Sequence, residues 1–264
     1  AYQDAVLAWA PEIARRDFGP RGAFMGYDFH LGATGPKLIE VNTNAGGAFL
    51  NAFLARAQMA CCEEARMATR SSQLEGFEPA VWRMFMSEWE SQRPNTPLQS
   101  VAIVDDHPED QYLFPEFLLA QRFFERHGLR ALIADPSELS FGEGRLRCRG
   151  ETVDLVYNRL VDFALEAEGH EALRQAYLAD AVVLTPNPRN HGLFADKRNL
   201  SLLSDPAAGE LLGETGAAPL AMKGASPSGW RCQTSATCKK AARSRPMSMK
   251  ADCMPGSTRA TLPR

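Results

Sequence analysis

The chain has 264 residues, 45% of them hydrophobic, and a net charge of −3. That length holds one large domain or two smaller ones with a filled core, and no apolar run is long enough to span a bilayer as a helix. Six cysteines without a CxxC pair argue against a zinc site and for a reduced, cytoplasmic chain.

Residues 1–20 lack the basic start and long apolar stretch of a signal peptide. They read as an amphipathic helix broken by Pro11 and ended near Gly19-Pro20. Residues 22–47 follow, with two short apolar runs, Phe24–Leu31 and Lys37–Asn42, around a turn containing Gly32, Gly35 and Pro36. This predicts two antiparallel strands. Side chains alternate along a strand, so Glu40 and Asn42 share a face with Leu38, while Ile39 and Val41 point the other way. Asp28 and His30 share a face of the first strand. Pairing would bring together the oxygens of Asp28, Glu40 and Asn42, a donor set that suits Mg²⁺ and nucleotide phosphates. Asp, Asn and Gly are also turn residues, and a solvated strand face is normally polar.

Residues 48–70 predict a helix with Phe49, Phe53 and Leu54 on one side. Trp82, Phe85, Met86 and Trp89 recur at helical spacing and predict a packing face. Ser91–Pro97 is a linker signal. Beyond it come a strand at 100–106, a helix at 109–127 closed by Gly128, and a strand at 129–136, which is a βαβ unit and so a parallel sheet. A small hairpin at 141–149, a strand at 153–160, a helix at about 169–178, a strand at 181–186 and a helix at 191–204 complete the expected α/β body. Ligands of such sheets bind beyond the strands' carboxyl ends, where Asp105, Asp106, His107, Arg159, Asp162 and Asn187 lie. For any one of these, solvating a turn is the commoner role. There is no GxGxxG and no Walker loop.

Residues 223–264 carry nine Lys/Arg and one acid, a charge of +8 that leaves −11 for the rest. With almost no aliphatic residues this stretch predicts disorder, as a basic tail or as a shifted reading frame. It has no aromatic platform for nucleic acid, so no nucleic-acid or membrane partner is expected.

The stretch Ile39-Glu40-Val41-Asn42-Thr43, with Asp28 on the preceding strand, resembles the metal hairpin of the ATP-grasp ligases. The order of hairpin, α/β domain, Val156-Tyr157-Asn158-Arg159 and Ala195-Asp196-Lys197-Arg198 is similar to the circularly permuted, eukaryotic-type glutathione synthetases over roughly residues 20–220. The resemblance implies an ATP-grasp-like hairpin segment over 1–95, a mainly parallel, Rossmann-like substrate domain over 98–190, a returning ATP-grasp segment over 191–222, and the tail 223–264. It implies an ATP- and Mg²⁺-dependent carboxylate–amine ligase acting through an acylphosphate on small-molecule carboxylate and amine substrates. Asp28, Glu40 and Asn42 would hold Mg²⁺; Asn44, Gly46, Gly47 and Lys197 would face the nucleotide; Arg159 would clamp a substrate carboxylate from an exposed position. Asn44-Ala45 replaces the serine and phenylalanine of the glutathione enzymes, and the tyrosine expected soon after Arg159 is not in place, so glutathione is not carried over as product. No second ATP-grasp lobe is recognisable, which makes an incomplete copy the expectation. A metal-dependent hydrolase centre of Asp28, His30 and Glu40, and a non-catalytic binding domain, are the two alternatives.

Overall fold

The computed structural model describes residues 2–33, 35–61 and 74–203. The chain divides into two units, Ala1–Ala225 and Ser226–Arg264, and all described residues belong to the first. The expected tail, and residues 62–70 of the expected helix over 48–70, lie outside the described residues.

Helix α1 (Tyr2–Leu7) stops short of Pro11, and beyond it only a 3₁₀ turn (Glu12–Arg15) forms, so the helix expected over 1–20 does not reach Gly19-Pro20. Strands β1 (Gly26–Gly32) and β2 (Gly35–Asn42) form the expected antiparallel hairpin, followed by α2 (Ala48–Cys61) and α3 (Phe77–Gln92). The α/β body contains β3 (Ser100–Val104), α4 (Phe114–Arg126) and β4 (Arg130–Ala134). Next comes a meander of β5 (Leu139–Gly142), β6 (Arg145–Cys148) and β7 (Glu151–Thr152). Then come β8 (Leu155–Asn158), α5 (Glu171–Leu178), β9 (Val183–Thr185), α6 (Pro188–Phe194) and α7 (Arg198–Leu203).

The four long-range strands make one all-parallel sheet in the order β4-β3-β8-β9. Every residue of β3 is buried, as expected for a parallel strand covered on both faces. Alternation assigns the faces. Val101 and Ile103 join Leu155, Tyr157 and Val183 under Phe49, Phe85, Trp89, Phe117 and Phe123. Ala102 and Val104 join Val156 and Leu184 under Ile13, Leu146, Leu173 and Tyr177. Helix α3 thus uses the face predicted from Phe85 and Trp89, and the linker-like run after it joins elements that share one core. Trp89 donates from Nε1 to the Thr96 carbonyl at 2.7 Å, which ties that run down.

Helix α2 departs from expectation. Phe49 and Ala52 are buried, while Phe53 and Leu54 are more than half exposed. The 3.6-residue period identifies an apolar stripe, but not how much of it a neighbour covers. Helix α6 also begins earlier than expected, at Pro188, and ends at Phe194, so the helix expected over 191–204 is two helices joined by a turn. Asn187 Oδ1 accepts from the Asn190 amide at 3.0 Å, Pro188 occupies the first turn, and the Asn190 side chain answers the Asn187 amide at 3.1 Å. Asn187 is therefore a helix cap rather than a ligand-facing strand end.

Candidate functional site

In the hairpin, Asp28 lies directly opposite Glu40, and Gly26 opposite Asn42. Leu38 is buried beneath the strand, and Ile39 is exposed. Asn42 donates from Nδ2 to Asp28 Oδ2 at 3.2 Å. Lys197, in the turn between α6 and α7, places Nζ 3.4 Å from Glu40 Oε2. Asn199 fixes that turn by donating to the carbonyls of Leu193 at 2.8 Å and Phe194 at 3.3 Å. Asp28, Glu40, Asn42 and Lys197 therefore meet in one corner. His30 does not join them. A bulge between Asp28 and Phe29 shifts the register so that His30 faces Lys37 rather than Leu38. Among the described residues, no three His, Cys, Asp or Glu side chains gather in a metal-holding group. The corner has two carboxylates and an amide.

The sheet order reverses between β3 and β8, and the carboxyl ends of these strands form the switch point where ligands of such sheets sit. Arg159 stands there, but it is only 5% exposed, which corrects the expectation of a guanidinium open to a cleft. Its Nη1 donates to Asn44 Oδ1 and, at 3.1 Å, to the Ala45 carbonyl; Nη2 donates to the Asn44 carbonyl at 3.3 Å. Asn44 in turn donates to the Leu160 carbonyl at 3.0 Å. Burying a cation is costly unless its donors are met, and here the hairpin's exit loop meets those of the two terminal nitrogens. Gly46 lies against this contact, where a larger side chain would displace the ends of its neighbours. A Cβ there would lie 2.9 Å from Arg159 Nη2 and 2.5 Å from Leu113 Cδ1. Gly47 has φ +89° and open space around it, with only Asn51 nearby. Arg159 Nε is the one buried side-chain polar atom among the described residues without a hydrogen-bond partner.

Beside Arg159, burial pushes the Asp105 carboxyl up to about 6, against the pull of the Asp106 amide and the Arg159 charge. His170, 2% exposed, bridges the loops after β3 and β8: Nε2 meets Asp106 Oδ1 at 2.8 Å and Nδ1 meets Asp162 Oδ2 at 2.9 Å. Burial acts to raise the Asp162 carboxyl, but the Ala167 and Glu166 amides and His170 outweigh it and hold the group below its ordinary value. Asp106 and Asp162 thus brace the edge. His107 Nδ1 lies 3.4 Å from Asp135 Oδ2, and its backbone N–H donates to the same oxygen at 2.8 Å.

Three features were not predicted from the sequence. Glu88 on α3 is buried and accepts from the Arg21 amide (2.9 Å), the Gly22 amide (2.8 Å) and the Thr185 hydroxyl (2.6 Å). Glu116 on α4 is fully buried and accepts from the Phe49 and Leu50 amides at 3.0 and 2.8 Å, capping the first turn of α2. The hairpin is therefore tied at its entrance by Glu88, at its exit by Arg159, and beyond its exit by Glu116. The third feature is His191 on α6. Its Nδ1 lies 3.1 Å from the hydroxyl of buried Thr43, and its ring stacks on Phe163 at 3.6 Å and 4°. Burial pulls its pKa down to about 4. A glutamate within a helix reads as surface, and an isolated histidine carries no periodic signal, so nothing local marks these residues.

A groove of about 620 Å³ opens at the carboxyl end of β4, lined by His107, Phe114, Leu118, Asp135 and Arg149 among others. Its lining includes none of Asp28, Glu40, Asn42, Arg159 or Lys197. No protein-family model matches the chain, and no curated protein matches it significantly. What stands on its own geometry is a mixed α/β protein with a four-stranded parallel sheet, a separate antiparallel hairpin bearing a polar corner, and no helix among the described residues long and apolar enough to cross a membrane.

Proposed function

We propose that the chain carries the metal and phosphate corner of an ATP- and Mg²⁺-dependent carboxylate–amine ligase. The observation that supports this reading is the approach of Lys197 Nζ to 3.4 Å from Glu40 Oε2, beside the Asp28–Asn42 contact. Residues singled out for metal and phosphate on sequence grounds converge from distant parts of the chain.

The donor set fits Mg²⁺. Like charges directly opposite across a strand pair destabilise it, so the facing Asp28 and Glu40 carboxylates gain from a cation between them. Asn42 presents its amide nitrogen to Asp28; turning the amide end for end offers its oxygen instead, with no backbone movement. Bound Mg²⁺ would supply charge neutralisation at phosphate oxygens. Lys197 holds a phosphate as a compact point charge, with Glu40 orienting its stem. Arg159 keeps Asn44 and Ala45 in place, which holds the hairpin's exit against the carboxyl end of β8.

Equilibrium binding of ATP with and without Mg²⁺ tests the proposal. Binding that needs Mg²⁺, and that weakens about tenfold in Glu40→Gln and in Lys197→Ala, is the expected result, a loss of about 1.4 kcal/mol for one charged contact. ATP binding that ignores the metal, or that both variants leave unchanged, refutes it.

A further inference from the structure

The Lys197–Glu40 pair cannot hold its own geometry. The side chains are 52% and 41% exposed, and such pairs contribute about 0–1 kcal/mol, against about 2 kcal/mol of rotamer freedom in a lysine stem. A buried contact between α6 and the end of β2 would hold the α6–α7 turn against the hairpin more firmly than this pair.

We propose that His191 is the positioning residue that sets Lys197 against Glu40, through its hydrogen bond to Thr43. This rests on reading the corner as the working site. Three consecutive side chains at the end of β2 reach three different elements. Asn42 bonds to Asp28 on β1, Thr43 to His191 on α6, and Asn44 to Arg159 and Leu160 after β8. Thr43 is the one that joins the hairpin to the helix leading into Lys197. The imidazole is itself located from two sides. Phe163 stacks on its face. The next residue, Gly192, packs so closely on the first segment of the chain that a Cβ there would lie 3.2 Å from Ala14 and 3.3 Å from Ala10. Helix α6 therefore has little freedom to slide, and the Thr43 hydroxyl fixes the remaining coordinate. The buried ring stays neutral near pH 7, so it shares one hydrogen with that hydroxyl.

A zero-length carbodiimide cross-link between the Glu40 carboxylate and the Lys197 amine, quantified by mass spectrometry, reads the placement without nucleotide. The wild-type chain should give the 40–197 cross-link. His191→Phe keeps the stack and removes the nitrogen, and it should cut the yield about tenfold, since effective concentration follows geometry. Thr43→Val should do the same, and His191→Asn, whose amide reaches the Nδ1 position, should restore most of it. Wild-type yield in His191→Phe and Thr43→Val chains that unfold at the wild-type temperature would overturn the proposal. If the wild-type chain binds no ATP while the cross-link still depends on His191, the ligase reading falls and the positioning role stands.

Discussion

Glu88→Gln is the substitution that most directly probes how the hairpin is held. The two carboxylate oxygens accept three bonds, from the Arg21 amide, the Gly22 amide and the Thr185 hydroxyl, and that hydroxyl in turn accepts from the Ala23 amide at 2.8 Å. Glutamine keeps the shape but has one accepting end. Either orientation turns an NH₂ group toward a buried donor and leaves at least one backbone N–H unpaired, at about 1–3 kcal/mol, while the surviving bonds lose their ionic strength. The total is about 3 kcal/mol, a large share of the roughly 5–15 kcal/mol that stabilises a domain. For a body of this size it lowers the midpoint of thermal unfolding by about 6–12 °C. Urea unfolding should show the loss at unchanged slope, and hydrogen exchange should show Arg21, Gly22 and Ala23 losing protection before the sheet does. A variant within about 0.5 kcal/mol of wild type, as expected for a surface substitution, would mean that Glu88 does not anchor the hairpin.

Two buried groups should give opposing pH dependences. The folded His191, near 4, refuses a proton that the unfolded chain binds below about 6.5, so its contribution rises by up to about 3 kcal/mol between pH 4 and 6.5. The folded Asp105, near 6, keeps a proton that the unfolded chain loses above about 4, so its contribution falls with pH over that window, by about 1–2 kcal/mol after solvent screening. Asp105→Asn should therefore match wild type at pH 4 and exceed its stability at pH 7, and His191→Phe should lose the rise between pH 4 and 6.5; equal effects at both pH values in urea titrations would refute the assignments. Gly46→Ala forces a Cβ to 2.5 Å from Leu113 and 2.9 Å from Arg159; it should cost about 1–3 kcal/mol as overpacking, and no measurable loss in thermal unfolding would show that the Arg159 contact is loose.

The sequence was most legible where one local rule settles the outcome. Val101–Val104 is a continuous apolar run, and only a strand buried on both faces suits it. Gly32, Gly35 and Pro36 mark the hairpin turn, and strand alternation puts Glu40 and Asn42 in phase. It was least legible where the partner is distant. The bulge after Asp28 that shifts the register of His30 has no marker in the local sequence. Phe53 and Leu54 have helical spacing, but their exposure depends on what packs against α2. Arg159 at a strand end reads as solvent-facing, and only the return of Asn44 and Ala45 from the hairpin buries it. Glu88 and Glu116 look like helix surface until the amides of residues 21–22 and 49–50 are brought to them. Asn187-Pro188 carries a helix-cap signal, and the capping role outweighs the strand-end position.

On the proposed reading, Asp28, Glu40 and Asn42 share one cation. Substoichiometric Mn²⁺, a paramagnetic stand-in for Mg²⁺, added to ¹⁵N-labelled protein reads its position residue by residue. Selective broadening of amides around 27–29 and 39–43, abolished in Glu40→Gln and in Asp28→Asn, is the expected result. Broadening centred on Asp105, Asp106 and Asp162 with the hairpin signals intact, or hairpin broadening that survives both substitutions, would contradict it.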